Sequence, residues 1–165
     1  MSYWLLMYCK VREERRAQQH LANLGFETYV PVLQKKITKA GKSKTCIELL
    51  FPRYLFLRVK SSNNLSQVRN TRGIRDFVRF GGKNAEVADS LIVQIMNQQM
   101  QMQQQLQKQQ TFHRGDPVVL LEGPFAGFDA IYQAPSGDAR SVILLSILQK
   151  QSSLVVNNES LTHKQ

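Results

Sequence analysis

The sequence predicts an α+β fold in two domains, and three observations support this. Strand-like apolar runs and helical segments are mixed over residues 1–97. A glutamine-rich tract, Gln98 to Gln110, interrupts that pattern. Residues 1–97 carry 17 Lys/Arg and 7 Asp/Glu, whereas residues 98–165 carry 5 of each. We therefore expect an amino-terminal domain over 1–97, a linker over 98–111 and a small carboxyl-terminal domain over 112–165.

The amino-terminal domain begins with a predicted buried strand over residues 3–9. A helix is expected from about Arg12 to Leu24, and it ends at Gly25, where a left-handed backbone conformation is favourable. The apolar face of this helix is expected to consist of Ala17, Leu21 and Leu24. Three cationic or titratable side chains recur every four residues on another face, namely Arg12, Arg16 and His20.

Further strands follow, and antiparallel pairing is expected among them. We expect a strand from Thr28 to Val32 that Pro31 interrupts, a basic β-hairpin over 34–48, a strong strand from Tyr54 to Val59 and a short strand from Phe77 to Phe80. The lysines of the hairpin are Lys35, Lys36, Lys39, Lys42 and Lys44. A last helix begins near Ser90 with Asp89 as its cap, and its apolar face is expected to comprise Leu91, Ile92, Ile95 and Met96.

The carboxyl-terminal domain has two competing interpretations. Val118, Leu121, Phe125, Phe128 and Tyr132 have helical spacing and would form one apolar stripe. Gly123, Pro124 and Gly127 disfavour a helix in the same segment, because Gly costs about 1 kcal/mol and Pro about 3 kcal/mol relative to Ala. Residues 139–155 repeat the ambiguity. The domain is therefore either a small barrel of five strands or a pair of helices that depends on contact with another surface.

Composition excludes several classes of protein. No apolar run approaches the roughly 20 residues needed to cross a bilayer. We expect no secretory signal, because residues 1–4 lack a basic region followed by an apolar stretch and a small-residue cleavage site. Cys9 and Cys46 are expected to be reduced thiols in a cytoplasmic protein. His20, His113 and His163 are scattered, so we expect neither an enzyme nor a cofactor or metal site. The basic amino-terminal domain instead suggests a nucleic-acid partner rather than a membrane.

Several motifs together resemble the NusG family of transcription elongation factors. These motifs are F-P-R-Y-L-F-L at 51–57, T-R-G at 71–73, F-V-R-F-G at 77–81 and R-G-D-P-V with G-P-F-A-G-F at 114–128, the last resembling the KOW motif of the family. W-L-L-M-Y-C-K at 4–10 and G-D-A-R-S at 137–141 are more similar to a specialised, operon-specific branch of that family. The chain departs from the pattern of this branch at Asn23-Leu24 and at 64–67.

The resemblance implies an α/β sandwich for the amino-terminal domain and an apolar surface that binds the clamp helices of RNA polymerase. The matching positions are Tyr8, Phe51, Pro52, Tyr54, Phe56, Phe80 and Ile92. It also implies that a basic surface contacts the single-stranded non-template DNA at a pause element. The corresponding residues are Lys10, Arg12, Arg16, His20, Thr71 and Arg72.

The resemblance further implies that the carboxyl-terminal domain is an α-helical hairpin over the polymerase site in the closed state and refolds to a five-stranded KOW β-barrel on release. Helices are then expected near 117–131 and 140–155. The residues implied at this switch are Glu48, Arg140, Phe128, Tyr132, Leu144, Leu145, Ile147 and Leu148, with Glu48 and Arg140 forming a salt bridge between the domains.

The expected function is that of an operon-specific antitermination factor. It would act as a monomer and link transcription to translation through a ribosomal small-subunit protein bound by the released barrel. Two alternatives remain open at this point. One is a general NusG-type elongation factor with a permanent barrel, and the other is a ribosome-associated RNA-binding protein.

Overall fold

The computed structural model of the chain describes residues 2–60, 64–107 and 127–163, and it shows a central antiparallel sheet with helices on both faces. The strands of the sheet are β1 (Ser2–Cys9), β2 (Glu27–Tyr29), β5 (Tyr54–Lys60), β6 (Ile74–Phe77) and β9 (Glu86–Val87). Their order is β2-β5-β1-β6, and β9 pairs with the first half of β1. Strand β1 is therefore central and has a partner along both edges.

Two short hairpins lie outside this sheet. The first pairs β3 (Val32–Lys39) with β4 (Lys42–Leu49), and its tip is the left-handed pair Ala40 and Gly41. The second pairs β7 (Arg79–Phe80) with β8 (Lys83–Asn84). The basic hairpin expected over 34–48 is thus present and extends a little beyond those bounds.

The helices are α1 (Glu14–Asn23), α2 (Asp89–Gln107), α3 (Phe128–Gln133) and α4 (Gly137–His163), and a short 3-10 turn covers Leu65–Gln67. Helix α1 covers one face of the sheet, where Ala17 and Leu21 share an apolar cluster with Leu5, Met7 and Cys9. Helices α2, α3 and α4 contribute to a second cluster on the other face. Successive residues of β1 point to opposite faces, so a single strand supplies both cores.

The structure corrects several local predictions. The strand expected from Thr28 to Val32 ends at Tyr29, and β3 begins after Pro31, because proline lacks the N–H that a ladder requires. The short strand expected over Phe77 to Phe80 is divided between β6 and β7, and β6 begins earlier, at Ile74.

The boundaries and faces of the helices also differ from expectation. Helix α1 begins at Glu14 and not at Arg12. The backbone of Arg12 has a positive φ of 62°, which is incompatible with a right-handed helix at that residue. Leu24 was expected in the core but is 45% exposed, while the carboxylate-bearing Glu14 is buried. Met96 is likewise exposed at the edge of the apolar face of α2.

The expected helix over 140–155 corresponds to α4, which is longer at both ends. The helix expected over 117–131 overlaps α3 only at its end, and residues 117–126 lie outside the described part of the chain. The apolar stripe can therefore be followed at Phe128 and Tyr132, whose rings are 5.6 Å apart, but not at Val118, Leu121 and Phe125. Residues 98–107 of the expected linker continue helix α2.

Candidate functional site

A tight turn between β4 and β5 presents the F-P-R-Y motif. The amide of Tyr54 donates to the carbonyl of Phe51 over 3.1 Å, and Arg53 has a φ of 75°. Proline at the second position and a positive φ at the third are the features of a type II turn. The turn brings Tyr54 opposite Tyr8 in the register of β5 and β1, and their rings lie 5.3 Å apart.

The residues matched to the polymerase surface divide into two groups. Phe51, Phe56 and Ile92 are almost completely buried, and the rings of Phe51 and Phe56 meet edge to face at 6.2 Å. The remaining members are half-buried around them, namely Tyr8, Pro52, Tyr54 and Phe80. We call these seven residues the aromatic surface.

Helices α3 and α4 pack against this aromatic surface. Five of their apolar side chains belong to the same cluster as Phe51, Phe56 and Ile92, namely Phe128, Ile131, Leu144, Ile147 and Leu148. Tyr132 and Leu145 are partly buried against it. The aromatic surface is therefore the surface on which the carboxyl-terminal helices rest.

Arg140 joins α4 to the end of β4 and is only 1% exposed. Its Nη2 atom lies 2.8 Å from Glu48 Oε1 and 3.3 Å from the carbonyl oxygen of Leu49, and its Nε atom donates to the carbonyl of Leu50 over 2.8 Å. A buried cation is costly unless charge and hydrogen bonds compensate it. One carboxylate and two backbone carbonyls do so here.

Glu48 is shared between two cations. Lys35 Nζ lies 2.9 Å from Glu48 Oε1, the atom that Arg140 also contacts. The hydrogen bond from Lys35 is the largest influence that lowers the pKa of Glu48 and the hydrogen bond from Arg140 adds to it, although burial acts in the opposite direction. Because the Glu48 side chain is 43% exposed, solvent screening limits what the pair contributes to stability.

The first residue of α4 lies against the F-P-R-Y turn. A Cβ atom added to Gly137 would come within 2.5 Å of Pro52 Cγ and 2.8 Å of Pro52 Cδ. A proline ring cannot rotate away from such a contact. Only glycine therefore permits this approach between α4 and the turn.

The residues matched to the DNA surface lie around the carboxyl end of β1 and along α1. Lys10, Arg12, Arg16 and Arg72 are exposed, and His20 is half-buried. The amide of Lys10 donates to the carbonyl of Gly73 over 2.8 Å. Gly73 has a φ of 91°, and a Cβ at this position would lie 2.8 Å from the carbonyl oxygen of Glu13, so glycine allows the loop to approach α1 closely.

Thr71 is buried, and the expected contact of its side chain with DNA stays a prediction. It is 7% exposed, and its hydroxyl donates to the carbonyl of Gln67 over 2.9 Å. It therefore positions the loop that carries Arg72. Arg12 is exposed as expected but precedes α1, so it does not share a helical face with Arg16 and His20.

Sequence reasoning missed three residues at these surfaces. Glu14 accepts a hydrogen bond from the amide of Arg53 over 2.8 Å, Arg53 stacks on Tyr8, and Lys35 pairs with Glu48. The burial of Glu14 could not be predicted from the sequence, because acidic residues in the first turn of a helix are usually exposed to solvent. Arg53 follows Pro52 at the turn position where Gly or Asn is usual. This unusual residue was the one local signal in the sequence that pointed to a special role for Arg53.

Cys9 is a buried free thiol at the end of β1. Burial raises the pKa of the Cys9 thiol to about 12, so this thiol is protonated at neutral pH. Nowhere in residues 2–60, 64–107 and 127–163 do three His, Cys, Asp or Glu residues come together as a metal site requires. Of the helices in the described ranges, none combines the length and apolar character needed to cross a bilayer.

The chain is similar to known proteins over more than half of its length. A family profile described as "Transcription termination factor nusG" matches residues 2–96, which include β1, the F-P-R-Y turn and the loop that carries Arg72. The transcription termination/antitermination protein NusG of Halalkalibacterium halodurans is 31% identical over 119 residues, which cover 70% of this chain and 67% of that protein. The chain therefore belongs to the NusG family of transcription termination and antitermination factors.

Proposed function

We propose that this protein is an operon-specific antitermination factor of the RfaH type. It binds the clamp helices of RNA polymerase through the aromatic surface and the non-template DNA strand at a pause element through its basic surface. In doing so it suppresses pausing and termination.

The observation that carries this proposal is the covered state of the aromatic surface. Phe51, Phe56 and Ile92 share one cluster with Phe128, Leu144 and Leu148. A surface that must bind polymerase cannot do so while α3 and α4 occupy it. Binding to RNA polymerase therefore requires release of α3 and α4. This requirement restricts antitermination to the DNA sites at which the helices are released.

The released domain is proposed to refold into a five-stranded KOW barrel. The helices contact the rest of the protein through one apolar face and through Arg140, whereas the glycines and prolines of 115–127 favour turns between strands. Release from the aromatic surface removes the contacts that stabilise the helices. The intrinsic preference of the released sequence, which favours strands and turns, then determines its fold. The barrel then binds a ribosomal small-subunit protein and links transcription to translation.

Exposed cations support the DNA contact. Lys10, Arg12, Arg16 and Arg72 are exposed in the closed state, and His20 is half-buried beside them. Cations on a common surface attract phosphates, and a partly exposed imidazole can stack on an unpaired base. The carboxyl-terminal helices lie on the opposite face of the sheet from α1. The protein can therefore bind the DNA strand before these helices are released.

The decisive experiment measures polymerase binding after the salt bridge is broken. Glu48→Ser removes the carboxylate that Arg140 contacts. Because the Glu48 end of this pair is solvated and Arg140 keeps two backbone acceptors, we expect the loss to be about 1 kcal/mol and the affinity for core RNA polymerase to rise by up to about fivefold. Glu27→Ser is the matched control, since Glu27 pairs with Arg58 at 3.1 Å on the sheet, away from α4. Its affinity should remain that of the unsubstituted chain.

The same measurement separates the general NusG-type factor from the specialised one. A permanently exposed aromatic surface predicts tight polymerase binding by the unsubstituted chain and no gain in Glu48→Ser. That result would count against the covered state. An equal gain in Glu27→Ser would assign the effect to charge alone.

A further inference from the structure

Arg53 has a backbone conformation that arginine rarely adopts. Its φ of 75° occupies the third position of the turn Phe51–Tyr54, where Gly or Asn is usual. The conformation is held from both sides. Glu14, which is 5% exposed, accepts the Arg53 amide hydrogen at 2.8 Å, and the Arg53 carbonyl accepts from the amide of Cys9 at 2.7 Å.

The side chain of Arg53 stacks on an aromatic ring but makes no hydrogen bond within the described part of the chain. Its guanidinium carbon lies 4.6 Å from the centroid of the Tyr8 ring. The Nε atom is buried and meets no acceptor among the described residues. No carboxylate in the described ranges forms an ion pair with this guanidinium, whereas Arg58 and Arg69 each have one.

Arg53 lies beside cations that belong to the DNA surface. Cys9 hydrogen-bonds to Arg53 on one side of β1, and the next residue, Lys10, hydrogen-bonds to Gly73 on the other side. The end of β1 is therefore flanked by Arg53 and by the loop that carries Arg72. Neither Lys10 nor Arg72 forms an ion pair within the described part of the chain.

We propose that Arg53 is a further contact to the single-stranded DNA and binds a backbone phosphate between Lys10 and the aromatic surface. This inference rests on the proposed function. A guanidinium offers a planar fork of donors that matches a phosphate, and stacking on Tyr8 fixes the plane of that fork before the ligand arrives. Arg53, Lys10 and Arg72 flank the end of β1 and form no ion pair among the described residues. Three such cations favour single-stranded DNA over a protein carboxylate, because the DNA strand supplies several regularly spaced charges.

The test uses the full-length chain, a labelled single-stranded oligodeoxynucleotide and the variant Arg53→Asn. Asparagine tolerates a positive φ, so the free energy of unfolding should be unchanged or higher. The affinity for the strand should fall about five- to tenfold at low salt. The slope of log K against log salt should become shallower by about 0.7, as expected for one lost phosphate contact on a single strand.

Lys83→Asn is the control, because it removes one charge at the other end of β1, where Lys83 lines a groove with Ser2 and Tyr3. Its affinity and salt slope should remain close to those of the unsubstituted chain. An equal loss in Lys83→Asn would show that net charge alone is responsible and would overturn the inference.

Lys10→Ala separates this inference from the proposed function. If Lys10→Ala weakens strand binding and Arg53→Asn does not, the DNA surface stands and the assignment of Arg53 is wrong. If Arg53→Asn lowers affinity for core polymerase and leaves strand binding intact, Arg53 pairs with a polymerase carboxylate and the inference also fails. Absence of strand binding by the unsubstituted chain would overturn both proposals.

Discussion

Arg140 is the largest of the side chains that are almost fully removed from solvent in the described residues, and its surroundings explain how a cation can lie under α4. Glu48 supplies the opposite charge, but the carbonyls of Leu49 and Leu50 supply two of the three hydrogen bonds. Replacing Glu48 therefore leaves Arg140 partly compensated. This is why we expect Glu48→Ser to shift the closed state by a modest factor and not to abolish it.

Tyr132 is a residue where the closed state can be improved. Its hydroxyl is buried with no partner among the described residues, and burial raises the pKa of this phenol above its ordinary value. An unsatisfied buried hydroxyl costs about 1–3 kcal/mol. Tyr132→Phe should therefore stabilise the docked helices by about 1 kcal/mol, measured as the free energy of unfolding of the intact chain by denaturant.

Tyr29 provides the comparison for that measurement. Its hydroxyl donates to Gln99 Oε1 over 2.7 Å, so Tyr29→Phe removes a made hydrogen bond and should lower the free energy of unfolding. A loss of stability in Tyr132→Phe similar to that in Tyr29→Phe would mean that the Tyr132 hydroxyl has a partner, and the expectation would be wrong.

At the scale of elements, the first turn of α4 decides whether the helix can approach the F-P-R-Y turn. Gly137→Ala should raise local helix propensity by roughly 1 kcal/mol, yet its Cβ would collide with the Pro52 ring. We expect the collision to dominate and undock α3 and α4. The expected readout is greater accessibility of the aromatic surface, observed as stronger binding to core polymerase.

Ser146→Ala is the appropriate control for that experiment. Ser146 is exposed on α4, so alanine raises helix propensity there without a new contact. Polymerase binding should stay unchanged or weaken slightly. Undocking by Ser146→Ala, or its absence in Gly137→Ala, would show that the approach of α4 to Pro52 does not control docking.

The ends of helices and hairpins could be predicted where nearby residues determine them. They could not be predicted where contacts with residues distant in sequence determine them. The end of α1 at Gly25 and the tip of the β3–β4 hairpin follow from glycine at positions with positive φ. The expected start of α1 at Arg12 is wrong because the backbone of Arg12 has a positive φ. Glu14 was not recognised as buried because its partner, the amide of Arg53, is 39 residues away in sequence.

At the scale of the molecule, we expect the carboxyl-terminal helices to depend on the sheet they rest on. Short helices are marginal in water without tertiary contacts, and α3 has only six residues. We expect residues 112–165, prepared alone, to show a strand-rich circular dichroism spectrum, while the intact chain retains the helical signal of α3 and α4. A helical spectrum for the isolated segment would contradict the proposed switch, as would identical strand-rich spectra in both contexts.

Local chemistry is sufficient to assign the elements of the amino-terminal domain and its excess of positive charge. Apolar alternation, glycine at turns and the placement of lysines and arginines act over a few residues and are readable in order along the chain. The state of residues 127–163 is different, since the same residues satisfy helical periodicity and strand propensity. Arg140 contacts Glu48, Leu49 and Leu50, about 90 positions earlier. Phe128 and Leu144 share an apolar cluster with Phe51 and Phe56, and these contacts favour the helix. Such contacts exist only in the folded molecule, because they need the sheet, the F-P-R-Y turn and α2 to be in place first.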